Sequence, residues 1–327
     1  LRRRRFRDED DRSEGEVVRI LARASDTIVG TLEKSSKFLF VIPDDPRMPE
    51  NVYVQQLDAG GQPDAKVGDK VVVRMRDWQS RHVNPEGEIV EVLGRADAPG
   101  VDILAILRKY NLPTDFPPEV SQAAAKVPAQ VNPSDLSGRD DWREKFVITI
   151  DPSDAKDFDD AFHVERRQDG WRLAVHIADV AHYVAPGSPL DREARRRGNS
   201  VYLPDRVVPM LPERLSNGIC SLVPDEERLT RLALIDFDRE GTMLKATFHR
   251  AVIRSAKRLA YREALELLES KAHDRLGKAL HGAWKLARLL RKNRFRKGSL
   301  DLDFPEVKVE VDDQGRPTAI RKVEHDI

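Results

Sequence analysis

The chain divides into two regions that differ in the spacing of their hydrophobic residues. In the first region, short alternating or β-branched segments are separated by Gly, Pro and Asp, a pattern typical of strands joined by turns. These segments are 16–22, 27–33, 37–42, 51–55, 68–78 and 86–93. Short strands at this spacing predict a closed β-barrel of the oligonucleotide-binding type over residues 14–96.

A stretch of mixed character, residues 97–142, follows the predicted barrel. Its beginning has helical spacing at 101–107, while the remainder contains many prolines. The prolines are Pro113, Pro117, Pro118, Pro128 and Pro133. We interpret residues 97–142 as a proline-rich connector and residues 143–327 as a second, mixed α/β domain, which gives an α+β chain.

The second domain begins with strand patterns. Residues 146–150 are β-branched or aromatic and predict a buried strand that delivers Asp151 at its carboxyl end. Residues 161–165 and 171–177 predict a hairpin around Asp169 and Gly170, a dipeptide suited to a tight turn. Two helices are predicted further on, one between Ser188 and Gly198 and a basic amphipathic one beginning near Leu280.

Five carboxylates are crowded between the first predicted strand and the hairpin, in the sequence DPSDAKDFDD at 151–160. Like charges at this density repel one another unless a cation lies among them. Mg²⁺ or Mn²⁺ suits oxygen ligands and can activate water against a phosphodiester. A solvated acidic loop is the open alternative. An EF-hand is disfavoured because Lys156 and Phe162 occupy its Gly and Glu positions.

Composition narrows the class of protein. The 327 residues include 56 basic and 56 acidic side chains, so any affinity for nucleic acid depends on local patches. The single cysteine, Cys220, excludes a disulfide framework and indicates a reducing compartment. No apolar run approaches the ~20 residues of a membrane span. We therefore expect a soluble, cytoplasmic, multi-domain protein without a membrane partner.

The order of motifs resembles the RNB family of exoribonucleases, the family of ribonuclease II and ribonuclease R. The segment TIDPSDAKDFDDA at 149–161 is similar to its catalytic signature, and further similarity follows at 176–181, 198–204 and 208–222. Residues 37–54 resemble the cold-shock domain that precedes the RNB domain. The resemblance covers the chain from about Val17 and is closer to the ribonuclease R branch.

This resemblance implies a specific activity. Asp151, Asp157, Asp159 and Asp160 match the four family aspartates, which implies a Mg²⁺ site, with Mn²⁺ as an alternative, and a two-metal mechanism. Asp151 and Asp160 are the leading direct ligands, Asp157 and Asp159 the catalytic positions, and Asp159 the most sensitive to substitution. A monomer would remove nucleoside 5′-monophosphates from the free 3′ end of single-stranded RNA.

Five residues are predicted to contact RNA, each with a structural alternative. Tyr202 matches the family tyrosine that stacks on the terminal base, although a Tyr in such a strand is also typical of a core. Tyr53 and Phe38 lie in the predicted barrel, where aromatic residues either stack on bases or fill the interior. Arg196 and Arg197 end a predicted helix, where arginines also complement the helix dipole.

The resemblance also implies what lies outside the chain. The family's RNB domain continues past the position of Ile327, so we expect the chain to be truncated within that domain and to follow a further cold-shock domain. Three hypotheses stay open: an exoribonuclease, a non-catalytic RNA-binding protein that lacks the rest of the active site, and a structural protein with a metal-stabilised acidic loop. The fragment itself is a candidate for inactivity.

Overall fold

The structure is a computed structural model of the chain. It describes residues 2–4, 14–16, 18, 21, 25–36, 38–54, 64–76, 78, 83–270, 274–302, 304, 306–312 and 315–323. The described residues form two compact units, one from 1–114 and 311–318, the other from 115–310 and 319–327. The structure thus groups residues 97–114 with the barrel and 115–142 with the larger unit. The boundaries given above for the three regions stay predictions.

The first unit contains a closed five-stranded barrel, as the turn-separated strand pattern predicts. Strands β1 (Arg2–Arg4) and β2 (Glu14–Glu16) pair only with each other. The barrel order is β3-β4-β5-β7-β6, and its strands are β3 (Thr27–Lys34), β4 (Leu39–Pro43), β5 (Val52–Val54), β6 (Asp69–Met75) and β7 (Glu86–Arg95). Most of the predicted strand at 16–22 lies outside the described residues.

Small aliphatic side chains fill the barrel, among them the fully buried Leu32, Val41 and Val71. Helix α1 (Val101–Lys109) packs Ala105 against Val29 and Val72 on the outside of the barrel. Burying each such aliphatic side chain contributes about 1.5–3 kcal/mol. The helix predicted from the spacing at 101–107 is present, and its apolar residues form the buried face of α1.

The second unit is built on a seven-stranded sheet in the order β16-β9-β10-β11-β14-β15-β8. Its strands are β8 (Asp140–Trp142), β9 (Ile148–Asp151), β10 (Asp160–Arg167), β11 (Gly170–Ala178), β14 (Glu227–Asp238), β15 (Met243–Arg254) and β16 (Lys257–Ala260). Two-stranded sheets are formed by β12 (Val201–Tyr202) with β13 (Val207–Val208) and by β17 (Glu306–Val311) with β18 (Pro317–Val323).

Helices cover both faces of this sheet. They are α2 (Pro118–Lys126), α3 (Val180–Tyr183), α4 (Pro189–Arg197), α5 (Tyr261–Glu269) and α6 (Arg275–Arg296), with a 3₁₀ turn at Pro133–Leu136 and a π-helical turn at Arg214–Ile219. One face packs against α2, α4 and the π-helical turn. On the other face, Leu286 of α6 packs against Trp171 and Phe237.

Local capping chemistry explains both predicted helices. The Ser188 hydroxyl accepts a hydrogen bond from the Asp191 amide, and Gly198 ends α4 with a positive φ of 80°, as predicted. The prediction that the second helix begins near Leu280 was wrong. Helix α6 begins at Arg275 because the Asp274 carboxylate accepts from the Gly277 amide at 2.7 Å and provides the cap.

Candidate functional site

The acidic segment leaves the sheet at one strand and rejoins it at the next. Asp151 is the last residue of β9, and Asp160 is the first residue of β10. Strand β10 pairs with β9 through Phe162 and Ile148, and with β11 along its whole length. Both ends of the segment therefore lie on a hydrogen-bonded sheet, and the predicted hairpin is present.

Contacts inside the molecule fix the path of the segment between these ends. The Ser221 hydroxyl donates to the Lys156 carbonyl at 2.8 Å and accepts from the Phe158 amide at 3.0 Å. The Phe158 ring is buried in the core. Arg258, on β16, donates to the Pro152 and Ser153 carbonyls at 2.6 and 3.0 Å. A solvated acidic loop would lack such anchors, so this alternative is not supported.

Sequence reasoning missed Ser221 and Arg258 as positioning residues. Ser221 lies 65 residues from Lys156, and Arg258 lies 106 residues from Pro152. Ser221 belongs to the motif at 208–222, which is the one signal that pointed toward it. Arg258 carried no such signal, because only the parallel pairing of β16 with β9 brings it to the segment.

The carboxylates influence one another strongly. Burial raises the pKa of Asp151, and the negative charges of Asp160 and Asp157 raise it further. Burial also raises the pKa of Asp159, with added contributions from Asp157, Asp160 and Asp151. Each of the four aspartates thus lies within electrostatic range of at least one other. We define Asp151, Asp157, Asp159 and Asp160 as the acidic cluster.

Asp151 has an unusual environment within the acidic cluster. Asp151 is only 9% exposed, and its Oδ2 atom is buried with no hydrogen-bond partner among the described residues. A buried carboxylate oxygen without a partner costs about 1–3 kcal/mol or more. Such an atom is the kind of ligand that a divalent cation would satisfy.

Asp154, the fifth carboxylate of the segment, differs from the acidic cluster. Its Oδ2 atom accepts from the Lys308 ammonium at 2.9 Å, and this hydrogen bond lowers the pKa of Asp154. Among the described residues, no three His, Cys, Asp or Glu side chains already stand in a geometry that would hold a metal. The acidic cluster is therefore electrostatically coupled but not preassembled.

Tyr202 reaches the acidic cluster from β12. Its hydroxyl donates to the Asp157 Oδ2 at 2.9 Å, while the residue as a whole is 65% exposed. Burial of the hydroxyl end raises the pKa of Tyr202, and the hydrogen bond to Asp157 raises it further. The ring is anchored at one end and open on its side, which does not fit the core alternative. Base stacking by Tyr202 stays a prediction.

The other predicted RNA contacts have different surroundings. Phe38 is 57% exposed and meets the Tyr53 ring edge-on, with 5.9 Å between centroids, so it does not fill the barrel core. Arg196 is paired with Glu193 and exposed. The Arg197 side chain is 2% exposed and donates to the Asp115 and Pro209 carbonyls. Its Cζ atom lies over the Phe116 ring, 3.8 Å from the ring centroid. Arg197 thus has a packing role, and its contact with RNA stays a prediction.

Three further residues have structural surroundings. His176 is fully buried, and burial lowers its pKa to about 4, so it stays neutral. His182 lies 3.4 Å from Asp135 and away from the acidic cluster. Burial raises the pKa of the Cys220 thiol to about 12, so Cys220 is a buried, uncharged side chain. No helix in the described ranges has the length and apolar character needed to cross a bilayer.

Comparison with known proteins assigns the class. The RNB domain family matches residues 139–327, and the cold shock domain family matches residues 40–117. The RNB match covers more than half of the chain and includes the acidic cluster. The chain therefore belongs to the RNB family.

Individual relatives point to the ribonuclease R branch. The chain is 43% identical to ribonuclease R of Thermotoga maritima over 310 residues, which is 92% of the chain but 43% of that protein. It thus spans about two fifths of this relative's length. Mycoplasma genitalium RNase R with double-stranded RNA superposes at a TM-score of 0.84 and 30% identity, over 95% of this chain and 55% of that one. The same enzyme with ribose-methylated single-stranded RNA superposes at a TM-score of 0.85 and 29% identity, over 97% of this chain and 50% of that one.

Proposed function

We propose that the acidic cluster is the hydrolytic centre of a 3′-to-5′ exoribonuclease. The substrate is single-stranded RNA with a free 3′ end, and the products are nucleoside 5′-monophosphates. The observation that carries this proposal is the buried Asp151 Oδ2, which lacks a partner in the middle of coupled carboxylates. Membership of the RNB family and similarity to proteins named ribonuclease R support the choice of RNA.

The donors of the acidic cluster fit Mg²⁺ or Mn²⁺. All four side chains offer hard oxygen ligands, and two of them have pKa values raised by burial and by neighbouring negative charge, which a cation would relieve. Asp151 and Asp160 would hold the cation, with Asp157 and Asp159 beside them. When bound, such an ion would polarise a phosphate oxygen of the RNA and activate a water molecule for attack.

The residues of the chain also position the substrate. Ser221 and Arg258 hold the backbone of the segment, so this backbone does not have to be ordered when RNA binds. Tyr202 is fixed through Asp157 and offers its exposed ring to the last base. Stacking tolerates every base, which suits an enzyme that removes nucleotides one after another. We also propose a cytoplasmic monomer.

A non-catalytic RNA-binding protein is the second candidate. The absence of a preassembled metal group among the described side chains favours it, because the barrel and basic residues could bind RNA without hydrolysis. The two candidates differ in one property, which is the release of mononucleotides.

The test uses 5′-labelled single-stranded RNA with MgCl₂ and the 327-residue chain. We expect stepwise shortening from the 3′ end, and a loss of at least about 100-fold in rate for Asp159→Asn, since a carboxylate that helps to activate the attacking water contributes about that much. Asp154→Asn is the matched control, because Asp154 is paired with Lys308 outside the acidic cluster.

Two outcomes would contradict the exoribonuclease. Mononucleotide release that persists in Asp159→Asn would show that the acidic cluster is not the centre. RNA binding by the unmodified chain without any release in Mg²⁺ or Mn²⁺ would favour the non-catalytic candidate for this chain.

A further inference from the structure

An uncovered part of the large sheet lies directly beside the acidic cluster. The antiparallel register aligns Asp160 of β10 with Ile177 of β11, Ile177 with Arg231 of β14, and Arg231 with Arg250 of β15. Directly paired residues in antiparallel strands have their side chains on the same face. These four residues therefore form one row across the sheet, which we call the transverse row.

Helix α6 leaves this part of the face open. It packs against the same face further along the strands, where Leu286 meets Trp171 and Phe237. Around the transverse row, Ile177 is 46% exposed, and Arg250 is exposed as well. One register step along the strands, Phe248 lies beside Ala233 and is 81% exposed. Phe248 and Ile177 are therefore two exposed hydrophobic side chains on the same open face of the sheet.

The charge of the transverse row is positive away from Asp160. Arg231 donates to the Asp179 Oδ1 at 2.8 Å, but the Asp179 Oδ2 is already bound by the buried Arg139 at 2.7 Å. One carboxylate thus pairs with two guanidinium groups, which leaves one positive charge in excess. Of the two arginines, Arg231 is the one at the surface, with a side chain that is 57% exposed. The Arg250 side chain, unlike its backbone in the β14–β15 pairing, forms no ion pair or hydrogen bond with any part of the chain that the structure describes.

The spacing of the transverse row suits a strand of nucleic acid. Neighbouring strands lie about 4.8 Å apart, so Arg231 is about 10 Å and Arg250 about 14 Å from Asp160 across the sheet. Two cationic groups and one exposed aromatic ring at these intervals combine the two features by which proteins hold single strands, phosphate pairing and base stacking. An apolar protein partner would have no use for the excess positive charge.

We propose that the transverse row, with Phe248, is a binding site for single-stranded RNA a few nucleotides upstream of the acidic cluster. Arg231 and Arg250 pair with backbone phosphates, and Phe248 stacks on a base. The inference rests on the proposed function, because it takes the RNA to have its 3′ end at Asp160. It adds a substrate-holding surface that is separate from the carboxylates and from Tyr202.

The test measures equilibrium binding of a fluorescent 16-nucleotide oligouridylate to the 327-residue chain in EDTA, where no hydrolysis occurs. We expect Arg250→Gln to weaken binding severalfold and to reduce the slope of log K against log salt by about 0.7, the change for one lost phosphate contact on a single strand. We expect Phe248→Ser to weaken binding by about tenfold, as for the loss of one stacked base.

Matched controls distinguish an effect of the transverse row from the effect of removing any arginine or any exposed phenylalanine. Arg239 lies just beyond the opposite end of β14 and donates to the Gln168 carbonyl, so Arg239→Gln should leave affinity and salt slope unchanged. Phe304 is 73% exposed outside the sheet, so Phe304→Ser should have no effect. Arg250 and Phe248 are exposed, and circular dichroism should show that their variants remain folded.

Several results would overturn the inference. Unchanged affinity in both Arg250→Gln and Phe248→Ser would do so, as would an equal loss in the Arg239→Gln control. If Phe248→Ser instead lowers the sedimentation coefficient and leaves RNA affinity unchanged, the surface binds protein. Because the assay excludes metal, failure here leaves the proposed function intact. Conversely, row-dependent binding without mononucleotide release in Mg²⁺ would refute only the proposed function.

Discussion

Two buried aspartates of the larger unit have opposite environments. Asp179 accepts hydrogen bonds from Arg139 and Arg231, whereas the Asp151 Oδ2 has no hydrogen-bond partner among the described residues and lies within electrostatic range of Asp160 and Asp157. Burial alone would raise the pKa of Asp179, but the two arginines outweigh it and lower the pKa. At Asp151, burial and neighbouring charge both raise it. The same side chain is thus a structural element at one position and an incomplete ligand at the other.

The largest effect on the free energy of unfolding is expected from a substitution of Asp179, the structural aspartate of the two. Asp179→Asn keeps the shape but removes the charge, which leaves the fully buried Arg139 side chain uncompensated. We expect the free energy of unfolding to fall by about 3–5 kcal/mol, as for other broken buried ion pairs. Urea unfolding followed by far-ultraviolet circular dichroism measures this. An effect below about 1 kcal/mol would contradict the structural role.

The next effect concerns His176, a third buried ionisable group. It lies against Trp142 and the Thr230 hydroxyl, with His163 as a nearby titratable group. Its pKa is about 4 in the folded protein and about 6.5 when unfolded, so the unfolded chain binds the extra proton. Its contribution to stability is complete above pH 6.5 and is lost as the pH falls toward 4, by about 3 kcal/mol in total.

Unfolding measured across this pH range, in the unmodified chain and in His176→Gln, checks the prediction. The difference between the two should shrink or reverse toward low pH. An identical pH dependence in both proteins would show that His176 is not the responsible group.

A smaller effect of opposite sign is expected at Asp151. Asp151→Asn removes a buried negative charge that Asp160 and Asp157 repel, so we expect the metal-free chain to gain about 1 kcal/mol of stability, as is common when functional groups are neutralised. The same urea titration in EDTA measures it. A loss as large as that of Asp179→Asn would mean that Asp151 is structural too.

The smallest effect belongs to an exposed ion pair. Arg195 is paired with Asp191 on α4 and its side chain is 76% exposed. Arg195→Ala should change the free energy of unfolding by less than about 0.5 kcal/mol, because solvent screens such pairs. This variant sets the baseline against which the effects at Asp179 and Asp151 are judged by urea unfolding. A larger loss would mean that the baseline cannot be used.

Features with local causes could be predicted from the sequence. Ser188, Pro189 and Gly198 bound a helix within ten residues, and the strand that ends at Asp151 followed from its β-branched run. The crowding of the carboxylates was visible for the same reason. The start of α6 was missed because its cap at Asp274 lies before the first clear apolar repeat.

Features that join distant segments could not be predicted. Arg139 and Arg231 lie 40 and 52 residues from Asp179, on either side in the chain, and only the folded sheet brings them together. The transverse row depends on strand register, which the order of residues does not reveal. The contact of Tyr202 with Asp157, 45 residues away, was not predicted, because the family resemblance implied only that Tyr202 stacks on the terminal base.

The central claim is that the acidic cluster binds a divalent cation and that Asp154, which is paired with Lys308, does not take part. Calorimetric titration of MnCl₂ into the metal-free chain tests it most directly. We predict binding that weakens by at least about tenfold in Asp159→Asn, as expected when a metal site loses a supporting group, and stays unchanged in Asp154→Asn. Equal Mn²⁺ affinity in the unmodified chain and Asp159→Asn, or a loss confined to Asp154→Asn, would contradict the claim.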